Sequence, residues 1–392
     1  MIHVPTLLFI GAAAVCISIA QIARWHLRWV RKLPSLKRIT GGPGPTPSSP
    51  PSIRCSIVIA ARDEEARIEQ TVRRLLAQEG IEPEVIVVDD RSSDSTARIL
   101  GTLAREDSRL RVIRVDNLPD GWLGKCHACY VGESAAKNEW ILFTDADCWL
   151  KPDLIARAVR LAEREQADHV TLTSGLASSS MTPGLRAAHV AFLLSISNWI
   201  SGVNRDRPQA YIGIGAFNLV RAAAYRECGG YEALRLTVLD DVKLGLLLRR
   251  AGKRTRAFIG AEDVECHWGN NIASMIPIME KNYFAFFEFR LSLALLVCGF
   301  MALLMVMVVL GAISGTPAGV AAALSPLALV WPAAILARRI GWPWTVALGV
   351  PFVMPVFTLA LLNSTFVTLR QGGVRWRETF YALEALRAGG VK

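Results

Sequence analysis

Asp145 and Asp147 stand one residue apart, directly after the apolar run Trp140-Ile-Leu-Phe-Thr144. Two carboxylates so placed supply hard oxygen ligands for Mg2+ or Mn2+, whose shell is usually completed by phosphate oxygens. An Asp-x-Asp pair is a weak signal by itself, because the same residues also suit an acidic helix start ahead of Pro152. Further acids strengthen it. Asp89 and Asp90 follow the run Glu84-Val-Ile-Val-Val88, and Asp63 and Glu64 follow Ser56-Ile-Val-Ile-Ala-Ala61. A last pair, Asp240 and Asp241, opens Leu239-Asp-Asp-Val-Lys-Leu-Gly245. A carboxylate beside a like charge has a raised pKa and is a better proton acceptor. The alternative is that Asp240 caps a helix over 241–251 and Asp241 sits on the positive end of its dipole. Lys125 follows Gly124 and is placed to meet phosphate oxygens, the alternative being a solvated lysine near a helix start.

Positioning these residues requires strands that end where the acids begin. Runs 56–61, 84–89, 110–115 and 140–144 are short, apolar and rich in β-branched residues, the pattern of buried strands. Between them, 64–78, 94–104 and 125–137 have helical spacing, and 152–165 reads as a helix with Pro152 in its first turn. The second helix is expected to be capped by Ser92, Ser93 or Asp94. This alternation predicts an α/β fold with an open, mostly parallel sheet and helices on both faces. Such sheets bind ligands at the C-terminal ends of their strands, where three sets of carboxylates fall.

The chain has 44 Lys and Arg against 34 Asp and Glu, a formal charge of +10, and 52% apolar residues. Its mean hydropathy of +0.32 is high for a chain with 20% charged residues. The apolar excess is concentrated in runs 5–23, 291–313, 318–337 and 343–369, each long enough to span a bilayer. Met-Ile-His carries no Lys or Arg, and Arg24, Arg28, Arg31, Lys32, Lys37 and Arg38 follow the first run. This favours an uncleaved anchor with its C-terminal side in the cytoplasm over a cleaved signal peptide. The expected order is an anchor at 1–24, a basic juxtamembrane segment and linker at 25–52, a catalytic body at 53–270, an interfacial helix at 271–290, a transmembrane region at 291–369 and a basic tail at 370–392. The linker 41–52 holds five Pro and three Gly and cannot form a helix or central strand. Three C-terminal spans would carry Arg370, Arg375, Arg377, Arg387 and Lys392 outside, although basic residues favour the inside. One run is therefore expected to be re-entrant, with the last, containing Pro351 and Pro355, the candidate. The eight cysteines are expected to be thiols. Cys126-His-Ala-Cys129 lacks the partner spacing of a zinc site and reads as core. Gly213-Ile-Gly215 lacks the third glycine and the first βα position of a dinucleotide loop. The apolar stretch 185–200 is expected to be core.

Residues 53–260 resemble a family 2 glycosyltransferase with the GT-A nucleotide-diphospho-sugar fold. The matching stretches are 56–65, Val87-Val-Asp-Asp-Arg-Ser-Ser-Asp94, Gly124-Lys125, Phe143-Thr-Asp-Ala-Asp147 and 239–245. With the membrane runs, Leu118-Pro-Asp-Gly-Trp-Leu-Gly-Lys125 is similar to the subgroup associated with hopanoid and carotenoid glycosylation. The resemblance implies that Asp63, Glu64, Asp89 and Asp90 hold the nucleoside, one Asp accepting from the base, most often the uracil of a UDP-linked donor. It implies Asp145 and Asp147 as ligands of a divalent cation, Mg2+ or Mn2+, against the diphosphate, with Asp147 the closer. Asp241 matches the family's general base, where the preceding residue is more often Glu than Asp240.

The resulting expectation is an inverting transferase, multi-pass in the cell membrane, that moves a sugar from a nucleotide-sugar to a lipid acceptor at the cytoplasmic face. A processive polysaccharide synthase is the first alternative. It would need more spans, and no Gln-x-x-Arg-Trp motif follows Asp241; His267-Trp268 and Arg375-Trp376-Arg377 are the nearest basic-aromatic groups. A catalytically silent membrane sensor or scaffold is the second, disfavoured because Asp147 and Asp241 are both present. No nucleic acid is expected as a partner, since the basic excess borders the apolar runs.

Overall fold

The computed structural model describes residues 4–35, 38–39, 53–176, 181–267 and 271–392. The linker 41–52 and Trp268 lie outside these. The chain divides into two units.

One unit comprises Val30–Ala177, Gly202–His267 and Ala388–Lys392. Its eight strands are β1 (Arg54–Ala61), β2 (Glu82–Asp90), β3 (Leu110–Val115), β4 (Trp140–Phe143), β5 (Cys148–Leu150), β6 (His169–Leu176), β7 (Asn218–Arg221) and β8 (Thr255–Cys266). They form one sheet in the order β3-β2-β1-β4-β7-β6-β8-β5. The β3-β2-β1-β4 half is parallel, as the alternating pattern predicts. The other half is mixed: β7 runs antiparallel to both neighbours, β6 and β8 are parallel, and β5 is antiparallel to β8. The strands of this half lie beyond the four apolar runs picked out by period.

Ile57, Val58, Ile59 and Val85 to Val88 are fully buried, so helices cover both faces of the parallel half. These helices are Ile68–Leu76, Thr96–Glu106, Gly124–Ser134 and Leu154–Glu165. Three of them start later than the sequence pattern suggests. The residues ahead of Ile68 make a turn, with Ile68 N donating to Glu64 O at 2.9 Å. Ser95 is the N-cap of the second helix, and Asp94 Oδ1 accepts from Thr96 N at 2.9 Å. The acids there are spent on loop geometry. The register Ala61↔Asp89 sets the ends of β1 and β2 level, and Val58↔Phe143 places β4 alongside. Cys126 and Cys129 are buried thiols, as expected of core residues.

The other unit comprises Met1–Trp29, Ser178–Ser201 and Trp268–Arg387. Among the described residues, four of its segments are long and apolar enough to cross a membrane: Val4–Trp29, Leu291–Ser314, Pro317–Arg339 and Trp344–Gln371. They expose Leu296, Ile313, Phe352 and Phe366, side chains that a lipid environment would cover. Pro355 lies inside the Val350–Gln371 helix without ending it. Both of the last two segments contain a 3-10 stretch: Ser325–Leu329 between helices Pro317–Leu324 and Val330–Arg339, and Trp344–Gly349 ahead of Val350–Gln371. The Pro183–Val203 helix packs in this unit up to Ser201, with Ser201 Oγ 3.0 Å from His26 Nδ1. The Met275–Phe286 helix is tied to the last apolar helix through Phe284 N to Ser364 Oγ at 2.9 Å and Asn363 Nδ2 to Glu280 Oε2 at 3.1 Å.

Gly132 lets its helix sit on the sheet, because a Cβ there would collide with Val58 and Val88. Gly132→Ala is expected to cost about 1–3 kcal/mol by overpacking. The Val58→Ala, Gly132→Ala double variant should regain part of that loss in denaturant unfolding. Additive losses would contradict the contact.

Candidate functional site

The loops after β1 and β2 are laced together by their own side chains. Asp63, at φ 53°, accepts on Oδ1 from Ser93 N at 2.8 Å and from Ser93 Oγ at 3.1 Å. Its own N–H donates to Ser92 Oγ at 3.1 Å, and Glu64 N donates to Thr96 Oγ1 at 2.8 Å. Asp63 and Glu64 thus join the two loops. Asp89 is 1% exposed; its Oδ1 accepts from Ser92 N at 3.2 Å, while Oδ2 has no protein partner. A buried, unmatched carboxylate oxygen is costly unless a donor reaches it. Asp90 is committed differently, gripping Arg91 through Nε at 2.8 Å and Nη2 at 3.0 Å. A Cβ on Gly124 would strike this pair, so the glycine before Lys125 is required by the close approach.

A second cluster gathers at the end of β4. Lys125 Nζ lies 2.6 Å from Asp145 Oδ1 and 3.7 Å from Asp240 Oδ2. Burial pushes the Lys125 ammonium down, but Asp145, Asp240 and Asp241 outweigh it and hold its pKa well above the ordinary lysine value. Asp240 is buried and accepts from Tyr231 Oη at 3.0 Å. It is the first residue of the Asp240–Arg250 helix, whose N-cap is Leu239, so Asp240 does not cap it. Asp241 is half-buried at the helix start. Its Oδ1 accepts from Val242 N at 2.8 Å and its Oδ2 from Gly215 N at 2.7 Å. Burial and the neighbouring Asp240 charge push the Asp241 carboxyl up to about 6, against the opposing pull of Lys125.

Gly213, Gly215 and Gly245 make this closeness possible. A side chain on Gly213 would meet the Asp241 carbonyl, one on Gly245 the Ile212 carbonyl, and one on Gly215 both Asp145 and Lys125. The Gly-x-Gly spacing was the visible trace of this loop, whose glycines serve packing against a helix. Thr144 Oγ1 fixes the loop by donating to Ala216 O at 2.8 Å. Asn218 Oδ1 accepts from Ile214 N at 3.1 Å and is itself 3.1 Å from His169 Nε2. His169 is fully buried, and burial pulls its pKa down to about 4, so the ring is neutral. Tyr231, His169 and Asn218 carry no motif and were not picked out by spacing.

Asp147 stands on the other side of the β4–β5 turn. Thr71 Oγ1 donates to Ala146 O at 2.7 Å, and His267 N donates to Asp147 O at 3.3 Å. Burial and the charge of Asp145 raise the Asp147 pKa. The sequence-predicted residues therefore form two groups. Asp63, Glu64, Asp89 and Asp90 share the β1 and β2 loops, and Lys125, Asp145 and Asp241 converge with Asp240. Asp147 is two residues beyond Asp145 at the same turn.

The family model described as Glycosyl transferase family 2 matches residues 56–229. Residues 56–229 are thus similar to that family. The match ends ahead of Asp240 and Asp241. Among curated proteins, the chain is similar to a beta-monoglucosyldiacylglycerol synthase of Trichormus variabilis, 30% identical over 220 residues that cover 54% of this chain and 42% of that protein. It is also similar to a 4,4'-diaponeurosporenoate glycosyltransferase of Staphylococcus aureus, 39% identical over 199 residues, 48% of this chain and 50% of that one. The chain thus spans about half the length of the curated relatives it matches, or less. Among solved structures, a mannosyltransferase of Pyrobaculum calidifontis in complex with GDP-Man and Mn2+ aligns with a TM-score of 0.53 at 16% identity, covering 94% of this chain and 99% of that one. At that identity the likeness speaks for the GT-A fold alone.

Tyr231→Phe removes the hydroxyl that donates to buried Asp240. It should lower stability by about 1–3 kcal/mol, the cost of leaving a buried acceptor short of a partner. Thermal unfolding of the purified chain measures this; an unchanged melting temperature would mean Asp240 is satisfied elsewhere.

Proposed function

We propose that the chain is an inverting glycosyltransferase that moves a sugar from a nucleotide-diphospho-sugar to a lipid acceptor. The convergence of Asp145, Lys125 and Asp241 around Gly215 carries this reading. It sets groups suited to a diphosphate beside a carboxylate suited to accept a proton. The printed names of the two relatives, one a glucosyldiacylglycerol synthase and the other a diaponeurosporenoate glycosyltransferase, support a lipid acceptor.

Asp89 and Asp90 bind the nucleoside in this account, the free Asp89 Oδ2 taking a base N–H. That suits uracil, so UDP is the expected nucleotide. Asp63 and Glu64 act by holding the two loops in register. The donor set fits a hard divalent cation, Mg2+ or Mn2+: two carboxylates one residue apart, with the Asp145 side chain 36% exposed. When bound, such an ion neutralises the charge that develops on the departing diphosphate. Lys125 adds a fixed positive charge there. Asp241 accepts the proton of the attacking hydroxyl, its carboxylate oriented by Gly215 N and Val242 N. Attack on the face opposite the leaving group inverts the anomeric centre.

The four apolar segments keep the domain on a membrane, so that a lipid acceptor arrives by lateral diffusion. The basic residues that follow the first segment favour a cytoplasmic domain. A cytoplasmic tail follows if one of the last two segments, each broken by a 3-10 stretch, is re-entrant.

Asp147→Ala is expected to abolish transfer in a radiolabelled nucleotide-sugar assay on membranes, and unchanged turnover would remove Asp147 from the metal site. Asp241→Asn should keep nucleotide binding and lose transfer; parallel loss of both would make Asp241 structural.

A base with a pKa of about 6 must be ionised to work. The kcat/KM profile should therefore fall below about pH 6, tenfold per pH unit, because protonation removes the base. Lys125→Met removes the charge that lowers this pKa, so the acid limb should move to higher pH even as the overall rate drops. A limb that stays in place would separate Lys125 from Asp241.

A further inference from the structure

Cys148 and Cys266 face each other across the antiparallel pair β5 and β8. Their sulfurs meet at one oxygen, with Cys148 Sγ 3.6 Å and Cys266 Sγ 3.9 Å from Asp147 Oδ1. All three ligand atoms lie within 4.8 Å of one another, and no other group of three or more His, Cys, Asp or Glu ligands meets that test among the described residues. A tetrahedral ion with Zn–S near 2.3 Å and Zn–O near 2.0 Å has S···O edges of about 3.5 Å and an S···S edge of about 3.8 Å. The two S···O separations lie close to those edges, and the sulfurs lie within 4.8 Å of each other. The frame is held from both sides: the β5–β8 ladder fixes the two cysteines, and His267 fixes the Asp147 carbonyl through N at 3.3 Å and Nδ1 at 3.1 Å. Two sulfurs and one carboxylate oxygen select a borderline-soft ion over Mg2+. Cys148 is fully buried and Cys266 is 9% exposed, which keeps soluble oxidants from the thiols. Half-buried Asp147 leaves an ion a way in.

We propose that Asp147, Cys148 and Cys266 form a binding site for zinc-class ions, and that a zinc ion there withdraws the Asp147 carboxylate from donor binding. Binding displaces one proton from each thiol to solvent and leaves a fourth position for water. The site itself is independent of the proposed function; its inhibitory consequence rests on the reading of Asp147 as a donor-metal ligand.

The test uses the full chain in detergent micelles with Mg2+ in excess. Added Co2+ should give thiolate-to-cobalt charge-transfer absorption saturating at one ion per chain. Zn2+ should abolish the absorption, and X-ray absorption of the zinc form should show two sulfur neighbours at about 2.3 Å. The Cys148→Ser, Cys266→Ser variant should lose the absorption and keep Mg2+-supported nucleotide binding. Only oxygen and nitrogen neighbours in the wild-type zinc form, or absorption that persists in the double variant, would overturn the site. The zinc spectrum of the wild type decides the matter even if the variant does not fold. Zinc should also suppress sugar transfer at least tenfold at fixed Mg2+. Zinc held by two sulfurs with transfer undiminished would uphold the site and overturn the role given to Asp147.

Discussion

One half-buried ammonium balances three carboxylates. Lys125 stands against Asp145 at 2.6 Å and Asp240 at 3.7 Å, within the field of Asp241. Without it, the acids at the end of β4 and at the start of the Asp240–Arg250 helix would repel one another in a poorly solvated place. The arrangement remains unevenly neutralised. Asp145 takes the shortest contact, Asp240 is shared between Lys125 and the Tyr231 hydroxyl, and Asp241 keeps a raised pKa. This inequality lets neighbouring residues of one chemical type differ: Asp240 is a buried support, and Asp241 keeps a carboxyl pushed up to about 6, as the proposed proton acceptor requires.

The cluster depends on backbone approach as much as on charge. Gly215 brings its N–H to Asp241 while its missing side chain leaves room for Asp145 and Lys125. Gly213 and Gly245 let the same loop lie against the helix that carries Asp241. Behind the loop, Asn218 holds Ile214 N and is itself held by neutral, buried His169. Any side chain on these glycines would spread the acids apart, so the electrostatics of the site is set by sterics.

Much of this was legible in the sequence, for local reasons. The strands β1, β2 and β4 are continuous apolar runs that end in acids, and parallel pairing brings those ends together. The acids of the DxD turn and the 240–241 pair could therefore be located before any coordinates. The mixed half of the sheet was less legible, in part because β7 has four residues and β5 three, too few to show a period. Helix starts were also misjudged where Glu64 and Asp94 hydrogen-bond across loops, since a pattern of apolar residues does not reveal what a polar side chain will bind. The Pro183–Val203 helix is apolar in either setting, so composition gave no sign that it packs with the membrane-type helices. The pairing of Cys148 with Cys266, 118 residues apart by their numbers, arises only from the β5–β8 register.

The central claim is that the carboxylates at the ends of β1, β2 and β4 form one donor site with Asp241 beside it. The most direct measurement is the crystal structure of the full chain with Mn2+ and an unhydrolysable nucleotide-diphospho-sugar, with manganese located by anomalous scattering. The account predicts a manganese peak at Asp147 and Asp145, the diphosphate beside Lys125, the base against Asp89, and Asp241 facing the sugar. A nucleotide bound away from these strand ends, or manganese held by other residues, would contradict it.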